Sequence, residues 1–397
     1  MSKPIAICAG YSVRYTLGGH LLAQLHFLSG LQQLGYEVIF AEHFGWENSC
    51  YDPVANAMTN DPAFGLAEAG RHFDRIGLKR WCYVDAAGRW HGLTREEFVG
   101  LCRQSTLLLN LASPTWMEEF RECRTRIYLD SDPGFTQFRM AAEPQVSHPG
   151  YASPHDYNFH FSYGERIGRP DCPIPTHGLR WRPTRQPVAL ELVQPQFTPR
   201  AARFTTVLSW TAYGSITYEG RVYGQKDVEL LKLLDLPQRT GPIFGIALAG
   251  PGAPAEKLRQ AGWVVTEALQ ATWNVETYLD YVGQSRGEFS VAKEGYVKTR
   301  CGWFSERTAT YLASGKPVIV QDTGFSELIP CGDGVFAFKT ADDIIAAIGE
   351  IEKDYARHCR AARRVAEEHF ASRKVLGEML RQCDLPVAQA ADAATRA

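Results

Sequence analysis

The sequence predicts an α/β protein of two domains, each built on a parallel sheet. Three observations carry that expectation. Short β-rich runs alternate with helical patterns in both halves, at 5–9, 38–42, 106–111 and 126–130, and then at 205–210, 243–248, 263–266, 289–292 and 317–321. Alternation of this kind makes neighbouring strands parallel, because each crossover returns the chain to the same end of the sheet. A length of 397 residues exceeds one ordinary core and suits two domains with a tail. Proline and basic residues crowd 169–200, where proline removes ladder donors and fixes extended backbone. The expected division is a first domain over 1–185, a Pro-rich linker over 186–203, a second domain over 204–370, and a helix and tail over 371–397.

In order, the first strand (5–9) runs into a polar loop and Gly18-Gly19-His20, which opens a helix ending near Gly35, and the second strand follows at 38–42. The stretch 48–95 is rich in Gly, aromatic and charged residues without clean periodicity and reads as loops and short helices. In the second half, helices are expected over 226–234, 276–285 and 305–313, and one or two more over 341–380. The Ala-rich end, 385–397, reads as frayed.

Formal net charge is −2 and neither half carries a basic run, which argues against nucleic acid as an obligatory partner. The apolar run 5–9 is shorter than the hydrophobic region of a secretory signal, and no run approaches the roughly 18 apolar residues of a membrane span. A cytoplasmic protein is the expectation. Ten scattered cysteines without a C-x-x-C pair read as reduced thiols, with neither a zinc site nor a disulfide framework.

The most informative segment is Trp303-Phe-Ser-Glu-Arg-Thr-Ala-Thr-Tyr-Leu-Ala-Ser-Gly-Lys-Pro-Val-Ile-Val-Gln-Asp-Thr-Gly-Phe-Ser-Glu327. It reads as a helix, a Gly-Lys-Pro turn, a buried strand and a Gly-bearing loop at the strand's carboxyl end, where ligands of open α/β sheets bind. This segment resembles the donor-binding core of the GT-B glycosyltransferases. The opening strand, Gly-His loop, helix and second strand are similar to the start of the same superfamily. The resemblance implies two facing Rossmann-like domains with a cleft between them and a last helix crossing back. It also implies transfer of a sugar, a hexosyl group by expectation, from a nucleotide-diphosphate sugar to a hydroxyl of a small-molecule or glycan acceptor. No cofactor and no metal are called for, since Lys, Arg and helix dipoles would neutralise the diphosphate.

Lys293, Lys298, Arg300 and Arg307 surround the strand at 289–292 and the following helix, and Lys226 opens another helix; these are the diphosphate candidates. Solvated surface cations are the ordinary alternative. Ser305, Glu306, Thr310, Asp322, Thr323, Gly324 and Glu327, together with Gly19 in the first loop, are the remaining donor-side candidates. Thr310 stands where many GT-B enzymes carry a ribose-binding glutamate, Glu306 lies one turn back on the same face, and the paired-glutamate motif is absent as usually written. For Glu327 the alternative is a carboxylate held by a helix dipole.

In inverting members with a Gly-His at this point the histidine is the general base. The resemblance therefore assigns that role to His20, oriented by Asp130 or Asp132. The ordinary alternative is a histidine in its own helix turn and two aspartates capping a Pro-Gly turn. Asp130-Ser131-Asp132 is formally a metal-binding Asp-x-Asp, but it falls in the expected acceptor domain before Pro133-Gly134. Trp46, Trp81, Trp90, Trp116 and Trp181 could stack on a sugar, with core packing the commoner use. The rival readings are a sugar-nucleotide epimerase of the same fold, a catalytically silent nucleotide-binding protein, and a modifier of hydroxymethylated DNA bases.

Overall fold

A computed structural model describes residues 3–387 apart from 112, 144 and 149. The first sheet contains β1 (Ile5–Ala9), β2 (Glu37–His43), β5 (Arg80–Val84), β6 (Trp90–Gly92), β7 (Leu107–Asn110), β8 (Arg126–Asp130), β9 (Phe159–Ser162) and β10 (Trp181–Pro183). Its order is β10-β9-β8-β7-β1-β2-β5-β6, and only β5–β6 is antiparallel. A side hairpin pairs β3 (Cys50–Asp52) with β4 (Ala57–Thr59). The second sheet is parallel throughout, in the order β15-β14-β11-β16-β17-β18. Its strands are β11 (Phe204–Ser209), β14 (Phe244–Ala249), β15 (Val264–Glu267), β16 (Gly287–Ser290), β17 (Val318–Gln321) and β18 (Val335–Phe338), and a second hairpin joins β12 (Ile216–Tyr218) to β13 (Arg221–Tyr223). Strands covered on both faces must be apolar throughout, and β7 and β17 are buried at every position.

The expected strands appear within one or two residues of their predicted bounds. The 48–95 stretch is more regular than expected, holding β3 to β6 and the helix Ala63–Arg75. β9, β10 and β18 were also not anticipated; β10 carries Pro183 on a sheet edge, where proline removes no needed donor. The helices begin near their predicted starts, but Lys226–Leu231 stops three residues early. The 341–380 stretch, expected as one or two helices, holds three: Asp354 ends one helix and caps the next through its carboxylate to the Arg357 N–H (3.0 Å), and a π turn, Ala366–Phe370, precedes the last helix, Ser372–Arg381.

That last helix packs against the first, Gly18–Gln33, so the chain returns to the domain where its first strand lies. The two crossings between domains lie side by side: Val188 N–H donates to Phe370 O (2.7 Å) and Ser372 N–H to Val188 O (2.8 Å). One hydrophobic cluster runs through the boundary, joining Leu21 and Leu25 to Tyr278, Leu312 and Phe370. Nine of the ten cysteines are buried, Cys331 is exposed, and all are free thiols. No helix among the described residues is long and apolar enough to cross a membrane. The Ala-rich end, 388–397, lies outside the described residues.

Candidate functional site

The carboxyl ends of β11 and β16 face the first domain, and the sequence assembles charge there. Lys226 opens its helix, half-buried, and makes no hydrogen bond or ion pair with the described residues. Burial, and then the neighbouring charges of Arg307 and Lys293, push its ammonium down to about 7, partly opposed by Glu306 and Glu288. Arg307 is differently placed from expectation. Its Nε donates to Glu288 Oε1 (2.6 Å), Nη1 to Val207 O (2.7 Å) and Nη2 to Ser290 Oγ, so three of its donors tie strand ends together and it serves as a fixed charge. Of the five candidate cations, Lys226 is the one left without a partner among the described residues.

Next to it begins the helix Glu306–Ala313, capped by Ser305, whose Oγ accepts the Arg307 N–H (3.2 Å). Glu306, exposed and without an ion-pair partner among the described residues, projects its charge onto Tyr11, His20 and Lys226, residues from both domains. Thr310 turns inward, its hydroxyl donating to Glu306 O (3.0 Å), and so cannot stand in for the ribose glutamate.

From the first domain, Gly18 and Gly19 bring the start of the Gly18–Gln33 helix onto the second domain: a Cβ on Gly19 would lie 3.2 Å from the Tyr278 ring, and one on Gly18 would collide with the Asn274 carbonyl. The glycines thus serve domain contact at least as much as ligand approach. His20 follows at the cleft. Its expected pairing with Asp130 or Asp132 is not made; Nε2 lies 2.8 Å from the Tyr11 carbonyl, with the Tyr11 ring 4.1 Å away centroid to centroid. A carbonyl can only accept, so Nε2 carries the proton and Nδ1 keeps its lone pair. Burial lowers the imidazole's pKa and keeps it neutral.

The two aspartates are otherwise engaged. Asp130, buried, accepts from Gln137 Nε2 (2.8 Å) and Ser162 Oγ (2.6 Å) and fixes the turn after β8. Asp132 accepts from Lys293 Nζ (2.8 Å), Tyr296 OH (2.5 Å) and Tyr213 OH. The Lys293 ammonium also sits over the rings of Phe135, Tyr213 and Tyr296. Lys293 is therefore a domain-joining cation, not a free phosphate ligand.

The loop after β17 departs furthest from expectation. Asp322 Oδ1 accepts the Gly324 N–H (2.9 Å), and Thr323 Oγ1 donates to Trp303 O (2.5 Å). Both side chains build the turn. Arg166, fully buried and contributed by the first domain, lies against Gly302 and Gly324, where a Cβ would come within 3.0 Å of its Cγ and 2.9 Å of its Cδ. Both glycines have φ in the left-handed range (82° and 93°), so two requirements coincide there. The Arg166 guanidinium is clamped by Glu327 and Asp171, and Glu327 also accepts from Arg300 (2.5 Å). Glu327 and Arg300 thus form a structural ion pair at the domain boundary. Lys298 pairs with Glu294 (3.0 Å) and Val222 O (2.9 Å), tying its own helix to the β13 strand.

Sequence reasoning missed Tyr11, Tyr213, Tyr278 and Arg166. Beyond β14 and β15 a cavity of 660 Å³ opens between the domains, lined by Tyr15, Tyr51, Asn56, Glu267, Gln270 and Trp273 among others. Another, of 480 Å³, lies at the Gly315 turn, at the opposite end of β17 from the cleft. Among the described residues one cluster has the spacing of a metal site, Glu68, His72 and Glu276. Arg71 already occupies it, with Nη2 at 2.8 Å from Glu68, 3.0 Å from His72 and 2.9 Å from Glu276.

No protein-family model matches the sequence, and no curated protein sequence matches it. Solved structures do match. An α-glucosyltransferase in complex with UDP and a 13-mer DNA containing an HMU base is similar at a TM-score of 0.57 and 9% identity, covering 95% of this chain and 99% of that one. The Anabaena protein HepE in complex with UDP-glucose is similar at 0.55 and 11%, covering 96% and 99%. Sucrose-phosphate synthase from Thermosynechococcus elongatus is similar at 0.52 and 14%, again covering 96% and 99%. Two facing domains of parallel sheet, closed by a last helix that crosses back, make this chain a member of the GT-B fold, the fold these enzymes share.

Proposed function

We propose that the chain transfers a sugar from a nucleoside diphosphate sugar to a hydroxyl of a small-molecule or glycan acceptor, in the cytoplasm and without a metal. The observation that carries this reading is Lys226: an unpaired cation in the interdomain cleft, beside a helix N-terminus and at the carboxyl ends of β11 and β16. A diphosphate there gains both the ammonium and the helix dipole, which also stabilise negative charge building on the leaving group. On the β17 side the space is taken by Arg166 and by the Asp132–Lys293 pair; on the β14–β15 side lies the 660 Å³ cavity. The nucleoside therefore extends toward β14 and β15.

His20, with a free Nδ1 and a neutral ring, is placed to accept the acceptor's hydroxyl proton, and the Tyr11 carbonyl does the orienting that an aspartate was expected to do. The test is a calorimetric and turnover screen of the full chain with nucleoside diphosphate sugars in EDTA, against small-molecule and glycan acceptors. Duplex DNA with a hydroxymethylated base is included because one similar structure holds such DNA. Transfer in EDTA, with His20→Ala abolishing turnover but leaving donor affinity within about twofold, supports the reading. Absence of donor binding, or an unchanged kcat in His20→Ala, overturns the corresponding half of it.

A further inference from the structure

We infer that the donor's base is guanine, selected by the carboxylate of Glu267 in the β14–β15 cavity; this rests on the nucleotide-donor reading given above.

Glu267 ends β15 and opens the short helix that follows, so its position is fixed by the sheet. It lines the cavity, is exposed, and makes no hydrogen bond or ion pair with the described residues. An ionised carboxylate offers acceptors only. It is the charged group in a lining otherwise made of aromatic, aliphatic, small and neutral polar residues. β15 lies two strands from β11 in the sheet order, about 10 Å at ordinary strand spacing. With the diphosphate at Lys226, by the carboxyl end of β11, a nucleoside that reaches across two strands brings its base, not its phosphates, to Glu267.

What a carboxylate accepts from the edge of a base differs sharply among the bases. Guanine presents N1–H and an N2 amino hydrogen side by side, matching two carboxylate oxygens at once. Uracil and thymine present one N3–H flanked by two carbonyls, which repel the second oxygen. Adenine and cytosine place an acceptor ring nitrogen beside their amino group, with the same result. Only guanine satisfies both oxygens, and charge-assisted pairs of this kind are the stronger hydrogen bonds. Selectivity that rests on leaving a polar group unpaired for the wrong partner is also the larger kind. The walls suit a planar ring: Tyr15 and Tyr51 lie 5.4 Å apart centroid to centroid on the first-domain side, and Trp273 faces from the second.

The experiment is calorimetric titration of the full chain with GDP, UDP, ADP, TDP and CDP, repeated on Glu267→Gln. Because Glu267 is exposed, the variant is expected to fold, and an unchanged melting midpoint without ligand checks this. GDP is expected to bind at least tenfold tighter than the rest, and Glu267→Gln is expected to erase most of that preference by weakening GDP, with UDP affinity held or raised because the amide N–H meets a uracil carbonyl. Tighter binding of any other nucleotide overturns guanine while keeping the donor site. Equal weakening of all five nucleotides by Glu267→Gln places the carboxylate on the ribose and also overturns it. Binding of none rejects the donor reading together with this inference.

Discussion

Asp132 Oδ1 and Lys293 Nζ meet at 2.8 Å across the domain boundary, one following β8 and the other capping the helix Glu294–Thr299. Two tyrosine hydroxyls share the same carboxylate, and three aromatic rings surround the ammonium. The pair is a clasp beside the cleft. Asp132→Asn is expected to destabilise the protein by about 1–3 kcal/mol, because a half-enclosed ammonium loses its counter-charge. Lys293→Met in the same chain should recover part of the loss. A double-mutant cycle read by urea denaturation checks this, and additive losses would show the two residues to be energetically independent.

Lys226 gives a pH prediction for binding. Only its protonated form attracts the diphosphate, and its pKa is down to about 7. For a nucleoside diphosphate sugar, whose phosphodiester groups do not titrate near neutrality, the dissociation constant should rise by about tenfold between pH 6 and pH 8. Lys226→Met should weaken binding and flatten that profile. Calorimetry at four pH values checks both; an unchanged profile in the variant removes Lys226 from the site.

Glu327 was read from the sequence as a donor-side carboxylate, and the structure engages it with Arg166 and Arg300. Glu327→Gln should therefore lower stability by about 1–2 kcal/mol, discounted because Glu327 is half exposed although Arg166 is buried. Free nucleotide and nucleotide sugar should lose affinity alike. A loss confined to the sugar conjugate would return Glu327 to the sugar.

His26 reports on acid stability. Its Nδ1 accepts the Ala189 N–H of the interdomain segment at 3.1 Å, and burial lowers its pKa to about 3. The folded value lies below the unfolded value of about 6.5, so its contribution is fully present above pH 6.5 and is lost progressively as the pH falls toward 3. Unfolding should take up about one extra proton in that window because of this residue. His26→Gln, which keeps an acceptor but does not titrate, should remove that increment from the slope of stability against pH between 6 and 4.

Much of the fold was legible because apolar strands of a parallel sheet are continuous: Val318–Gln321 is recognisable from its four residues and the Gly315-Lys316-Pro317 turn before it. The strand Val335–Phe338 was not, being four residues long and set between loop and helix without a distinctive pattern. At the site, residue types were readable but their commitments were not. Arg307, Lys293 and Glu327 all looked like ligand contacts, and each is taken by a partner 19 or more positions away in sequence. Arg166 carried no local signal at all. Its meaning depends on Gly302 and Gly324, glycines whose purpose appears only when the first domain is packed against them.

The adjacent crossings at Val188 and Phe370–Ser372 limit how the two halves can move. Two covalent connections bonded to one another act mechanically as a single axle, which constrains sliding and twisting more than swinging about that line. The wide turn Ala366–Phe370 sits on the axle, where one surplus residue per turn can be taken up or released without breaking the helices on either side. For the proposed sugar transfer, ligand entry and departure would share one coordinate, and the stiffness of a five-residue turn would set how fast the cycle could repeat.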